Sequence, residues 1–301
     1  MKTLLKNEFI KYGKSVIFYI VLSFVIFMAF EAYSVPYHSF IESVKQAIEI
    51  SKAKNIPLSS ILSSQQYAMA EIGNLYAKNT VVNYMLSLFY PLESIFVPLI
   101  VSVSISNEFS WKTIMVLISH NARSKVFLSK YIVNVTISAF IAFLLVVSGF
   151  VFSSFFGLKV HAVLRQYAQH FVSTNLQFNF ISNIPMQIVV TFIVILAITS
   201  ICVLINILSK NAVIGFIVSV LYLYIEASLL RMLHIGAISI GINVFSVMSR
   251  IFYYFKIGII QNFVSIGMYK GSSLTAGIIV ILFYIILFTA FSYIVFKRED
   301  L

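Results

Sequence analysis

Apolar positions in this chain run together in long stretches nearly free of charge rather than being spread evenly. Six stretches approach or exceed the roughly 20 residues that an α-helix needs to cross about 30 Å of hydrocarbon. They are Val16 to Tyr33, Leu86 to Ser106, Phe127 to Phe156, Met186 to Leu208, Ala212 to Leu230 and Leu274 to Phe296. The third and sixth lie in the unbroken uncharged runs Tyr131 to Leu158 and Gly271 to Phe296. Lipid offers backbone N–H and C=O groups no partner, so each must be satisfied inside its own helix. The pattern predicts one all-α integral membrane domain over 1–301, with six transmembrane helices at 16–33, 86–106, 127–156, 186–208, 212–230 and 274–296.

The connecting segments carry patterns of their own. Ahead of the first span, Leu5, Phe9, Tyr12 and Val16 fall on one helical stripe, with Lys2, Lys6, Asn7, Lys11 and Lys14 around the rest of the wheel. This predicts an in-plane elbow helix over 1–15 at the inner interface. The outer loop at 34–85 has Phe40, Ile41, Val44, Ala47 and Ile48 on one face, opposite Glu42, Lys45 and Glu49. Asn55-Ile56-Pro57 should break that helix, and a second should start near Ser59 or Ser60. Such helices would either lie on the outer surface or cover an exit path.

Asn183-Ile184-Pro185 is suited to starting the fourth span, and Ser209-Lys210-Asn211 to a tight cytoplasmic hairpin between the fourth and fifth. Between the fifth and sixth spans, Ile235 to Ser249 is apolar but too short to cross comfortably. The segment 231–273, with Gly236, Gly241, Arg250 and Lys256, is therefore expected to form outer, re-entrant or interfacial helices.

Composition agrees with this picture: 60% of residues are hydrophobic and only 10% charged, with a mean hydropathy of +0.97. A soluble domain carries roughly 25% charged residues. The net charge of +11 raises the question of nucleic acid, but its distribution answers differently. Lys2, Lys6, Lys11, Lys14, Lys112, Arg123, Lys125, Lys130, Lys210, Lys297 and Arg298 crowd into four short segments, while the remaining basic residues are spread over much longer loops. By the positive-inside rule the short segments face the cytoplasm, and both termini with them. An even number of crossings follows, and without an organelle transit pattern the expected location is a bacterial plasma membrane. The first apolar run exceeds a typical signal-peptide core and no A-x-A site follows, so it should be retained.

Chemistry-bearing motifs are scarce. The single cysteine, Cys202, falls within a span, and the histidines His38, His120, His161, His170 and His234 are scattered without a metal partner at helical spacing. No phosphate-binding loop, H-E-x-x-H or G-x-S-x-G is present. The chain is expected to be neither an enzyme nor a holder of a metal or cofactor. Charge inside an apolar span is costly and normally faces protein or water, and two carboxylates stand out on that ground: Glu93, between Pro91 and Pro98, and Glu226, near Arg231. Each is a candidate substrate-path or interface contact, or else a structural pair for Glu93 and interfacial snorkelling for Glu226.

The loop at 107–126, between the second and third spans, holds one aromatic anchor, several charges and a short apolar stretch: Asn107-Glu108-Phe109-Ser110-Trp111-Lys112-Thr113-Ile114-Met115-Val116-Leu117-Ile118-Ser119, followed by His120-Asn121-Ala122-Arg123-Ser124-Lys125 and, opening the third span, Lys130. Here the chain resembles the permease subunits of the type 2 family of bacterial ABC exporters, close to antimicrobial-peptide and lantibiotic export and immunity permeases. Glu108, Thr113, Ser119, Arg123, Lys125 and Lys130 stand at that family's acidic, Thr, Ser and basic positions. The likeness extends to Leu4-Leu5-Lys6-Asn7-Glu8-Phe9, to Ser209-Lys210-Asn211-Ala212 and to the ending Phe296-Lys297-Arg298-Glu299-Asp300-Leu301. Lys112 departs from the small residue usual before the Thr, and Asn121 from a common proline.

The resemblance implies that the loop is a cytoplasmic coupling helix seated on a separate ATPase, with Glu108, Trp111, Lys112, Thr113 and Arg123 as coupling residues. Trp111 also suits an interfacial belt. It further implies a second permease copy or a related permease, two copies of the ATPase carrying ATP and Mg, contact with membrane lipid, and no nucleic acid. The expected cargo is a hydrophobic or antimicrobial peptide. The alternatives are a lipid, glycan or drug, or an ATPase-independent secondary transporter or membrane assembly protein.

Overall fold

A computed structural model of the chain describes residues 1–58, 61, 72–110, 113–167, 184–225 and 274–298. Among these, all regular structure is helical: α1 (Lys2–Gly13), α2 (Val16–Lys54), α3 (Lys78–Ser110), α4 (Thr113–His120), α5 (Arg123–Tyr167), α6 (Ile184–Ser209), α7 (Ala212–Ile225) and α8 (Leu274–Arg298). Five of them, α2, α3, α5, α6 and α8, are long and apolar enough to cross a membrane, and α7 is a shorter apolar helix over its described residues. The chain is an all-α, multi-pass membrane protein.

The helices outrun the apolar stretches that announce them. At 39, 33 and 45 residues, α2, α3 and α5 exceed the roughly 20 needed to span. Hydropathy marks only their lipid-compatible parts. The expected outer loop at 34–85 is in fact helical to Lys54, passing straight through Pro36, and helical again from Lys78. It stops where expected: Asn55 takes a left-handed φ of 54°, and the Ile56 N–H donates back to the Ser51 carbonyl at 3.2 Å. That six-to-one bond satisfies a carbonyl that the helix end would leave orphaned. The helix expected from Ser59 or Ser60 and the re-entrant segment expected over 231–273 lie outside the described residues.

Two compact units divide the chain. One holds Met1–Val21, Phe89–Ile141 and Pro185–Leu301; the other holds Leu22–Leu88 and Ala142–Ile184. In the second unit the α2 stripe Phe40, Val44 and Ala47 is buried, as its spacing predicts. Aromatic contacts organise this unit. Tyr33 and Tyr76 rings lie 5.5 Å apart, and the Tyr76 hydroxyl donates to the Tyr33 carbonyl at 2.6 Å. Phe30 and Phe156 meet at 5.7 Å.

In the first unit α6 is the central helix. It is apolar all round, and its buried residues include Val190, Val194, Ile198, Ile201, Cys202 and Ile207. A helix hydrophobic on every side belongs inside. Around it pack Val97, Val101, Ile105 and Phe109 of α3, Ile114 of α4, Val126 and Phe127 of α5, Leu223 of α7, and Ile281 and Phe296 of α8.

The turn after α6 follows the expected hairpin. Lys210 adopts a left-handed φ of 51°, and its N–H donates to the Asn206 carbonyl at 3.1 Å. Asn211 then caps α7, its Oδ1 accepting from the N–H groups of Val213 at 2.9 Å and Ile214 at 3.2 Å. Gly215 lets the two helices close. A Cβ there would lie 2.1 Å from Asn206 Oδ1.

Candidate functional site

Hydrogen bonds inside the first unit put the helix ends in register. The Tyr131 hydroxyl lies 2.8 Å from Ser200 Oγ, which lies 3.0 Å from Thr289 Oγ1. Tyr131 is about two turns into α5, while Ser200 and Thr289 are about two and a half turns before the ends of α6 and α8. The start of α5 and the ends of α6 and α8 therefore lie on one side of the unit. The end of α3 joins them, because Phe109 packs on Phe296 at 6.4 Å between ring centroids, and Phe296 on Phe127 at 5.8 Å.

On this side sits a chain of buried charges. Helical spacing places Leu4, Glu8 and Tyr12 on one face of α1, and all three are buried. Glu8 Oε1 accepts from Lys130 Nζ of α5 at 2.9 Å. The same ammonium pairs with Glu108 Oε2 in the last turn of α3, and Glu108 Oε1 pairs in turn with Lys11 Nζ of α1. Glu8, Lys130 and Glu108 are only 6%, 2% and 4% exposed. Charges so far from water require close partners. Two carboxylates and two ammoniums alternate, so the network carries no net charge.

Tyr12 extends the network. Its hydroxyl lies 2.9 Å from the Ile100 carbonyl and also against Asn134 Oδ1, and its single O–H donates to one of the two at a time. Burial pushes this phenol well above the usual range, and the nearby charges of Glu8 and Glu108 add to the rise. The hydroxyl stays protonated and available as a donor. Three separate helices, α1, α3 and α5, are thereby fastened at one point.

Directly after Glu108 comes α4. Ile114 is buried, and Leu117 and Ile118 pack against the core. Its other side is open: Met115 is 41% and Val116 61% exposed. Asn121 Nδ2 donates to the Leu117 carbonyl at 3.2 Å and closes the helix. Thr113 opens it, with a long 3.4 Å hydrogen bond from Oγ1 to the Glu108 carbonyl. Arg123 donates to the Lys297 carbonyl, tying the start of α5 to the last turn of α8.

The structure thus separates the expected coupling residues. Thr113 stands exposed at the head of α4, Arg123 binds the end of α8, and Glu108 is sealed inside the ion network; Trp111 and Lys112 lie outside the described residues. Glu93 is 2% exposed within α3, so its carboxyl faces protein rather than lipid. Glu226 lies outside the described residues. Among the described residues no group of three or more His, Cys, Asp or Glu side chains could hold a metal ion.

Of the stripe expected at the inner interface, Phe9 is 39% exposed and Tyr12 is buried, while Val16, 71% exposed, belongs to the start of α2. The face that α1 turns to the protein is Leu4, Glu8 and Tyr12, with Glu8 paired to Lys130. Glu8, Lys11, Tyr12 and Asn134 were missed as site residues. A usable signal existed for Glu8, which is the only acid in the basic first fourteen residues and lies four positions from both Leu4 and Tyr12. Compared with protein-family models, with curated proteins and with solved structures, the chain matches none of them.

Proposed function

We propose that the chain is the membrane-spanning permease subunit of an ATP-driven exporter of the ABC type 2 kind, moving a hydrophobic or antimicrobial peptide out of a bacterial cell or its membrane. The observation that carries this reading is α4. It is a short helix between two long apolar helices, firmly seated by Ile114, yet it exposes Met115 and Val116 on the side where helix ends collect. An exposed apolar knob beside the membrane suits a protein partner. The partner is a separate ATPase, which closes on nucleotide and moves α4 with the helix ends fastened to it. This chain performs no bond chemistry.

Orientation has two independent supports. Helix register collects the ends of α3, α6 and α8, the start of α5, and α1, which supports reading an even number of crossings between α1 and the end of α8. Lys2, Lys6, Lys11, Lys14, Arg123, Lys125, Lys130, Lys210, Lys297 and Arg298 all belong to these ends and turns. The positive-inside rule makes that side cytoplasmic. On this reading the chain makes six crossings, one of them beginning with α7. The apolar residues exposed along α8, such as Leu282, Phe283, Ile286 and Phe291, are left for lipid and a second permease copy.

The test is whether an ATPase with a phosphate-binding loop is encoded beside this chain and co-purifies with it. Met115→Asp with Val116→Asp should abolish ATPase association while leaving the permease folded in detergent. Unchanged association and transport in that double variant would overturn the coupling role. Peptide cargo is tested separately, by the sensitivity of a deletion strain to antimicrobial peptides.

A further inference from the structure

The first helix has two unlike faces. One carries Leu4, Glu8 and Tyr12 into the protein, where Glu8 is consumed by Lys130. The other is free and mixes two kinds of residue: Lys2, Lys6 and Lys14 are exposed, and between them Phe9 is 39% and Ile10 45% exposed. Lys2, Lys6 and Lys14 form no ion pair among the described residues. With Glu8 buried, α1 offers no exposed carboxylate to neutralise them.

At a hundred degrees per residue, Phe9, Lys2, Lys6 and Ile10 fall in that order within about a third of the wheel. Interleaving of this kind is wrong for a water-facing surface, which has no use for Phe9 and Ile10. It is also wrong for a protein core, which would leave three ammoniums unpaired. It fits the boundary between headgroups and acyl chains, where apolar side chains enter and lysine stems let their ammoniums reach back to the phosphates. The chain continues from this face into α2, whose Val16, Tyr19 and Ile20 are 71%, 56% and 61% exposed. These lie at the lipid-facing start of a span, so the free face of α1 is held at the membrane surface.

We infer that the free face of α1 is a docking surface for anionic phospholipid headgroups, with Lys2, Lys6 and Lys14 binding the phosphates and Phe9 and Ile10 entering the acyl boundary. Charge selects the occupant. Three unpaired ammoniums gain little from a zwitterionic surface, and each near an anionic one contributes about a five-fold preference. The inference requires that the chain cross a membrane; it does not require an ATPase.

The full chain carrying Phe9→Trp and Trp111→Phe places its single tryptophan on this face. Reconstituted in phosphatidylcholine nanodiscs containing phosphatidylglycerol, it should be quenched more strongly by brominated phosphatidylglycerol than by brominated phosphatidylcholine at the same mole fraction. Adding Lys2→Gln, Lys6→Gln and Lys14→Gln should make the two quenchers equal, whereas arginine at the same positions should keep the preference. Raising salt with the lysines intact should weaken it as well. Equal quenching in the parent, a preference that survives the glutamine substitutions, or no quenching by either lipid would overturn the inference. ATPase association enters none of these measurements, so failure of the coupling role and failure of lipid docking are told apart.

Discussion

Lys130 Nζ lies 2.9 Å from Glu8 Oε1, joining the third turn of α5 to the second turn of α1 across 122 residues of chain, with both side chains buried. The same ammonium holds Glu108 at the end of α3. A buried pair contributes little net stability compared with a well-packed apolar replacement, but losing one partner strands the other.

Lys130→Met should therefore destabilise the chain by about 3–5 kcal/mol, because Glu8 is left without its cation. Glu108 is spared the same fate by Lys11. Adding Glu8→Gln to Lys130→Met should recover a large part of the loss, since the stranded charge is then gone. Denaturation in mixed micelles across the double-mutant cycle measures this. Additive effects of the two substitutions would show that the pair does not act as a unit.

Tyr12 gives a pH signature. Its phenol is pushed up in the folded chain, chiefly by burial, so the folded state holds this proton beyond the pH at which an unfolded tyrosine releases it. Stability from this residue is complete below about pH 10 and falls as pH rises past that value, where only the unfolded state ionises. Tyr12→Phe should lose about 0.5–1.5 kcal/mol at neutral pH through the missing hydrogen bond, and its stability should fall less steeply above pH 10 than that of the parent. Parallel curves over that range would contradict the assignment.

The helices were legible in the apolar runs because lipid forces long uncharged stretches, and five of the six expected spans correspond to helices long enough to cross. Their ends were not legible. Past Tyr33, α2 becomes polar on one side while Phe40, Val44 and Ala47 keep the other side packed, so the helix persists where hydropathy falls. Turn chemistry was read well, since Asn55, Lys210 and Asn211 act through local backbone geometry that neighbouring residues determine. The ion network was read only by half. Glu108 and Lys130 stood out by position, but their partners Glu8 and Lys11 lie about a hundred residues away, and no local spacing encodes that pairing. The protein-facing side of α1 is hidden from local spacing for the same reason, since Glu8 turns inward to a lysine 122 residues away.

Gly215 tests how closely α6 and α7 pack. A Cβ at this position would meet Asn206 Oδ1 at 2.1 Å, Asn206 Cγ at 2.8 Å and Ser209 Oγ at 2.9 Å. Asn206 has little freedom to withdraw, being fully buried with its Nδ2 donating to the Cys202 carbonyl at 2.8 Å. Gly215→Ala must push the helices apart or break that hydrogen bond. Overpacking of this order costs about 1–3 kcal/mol, against which the better helix propensity of alanine returns at most about 1 kcal/mol. A net loss of stability follows, and Asn206→Ala in the same chain should relieve part of it by clearing the space. Thermal unfolding of the single and double variants decides the matter: a stabilised Gly215→Ala would mean that the two helices do not approach as closely as the hairpin at Ser209-Lys210-Asn211 holds them.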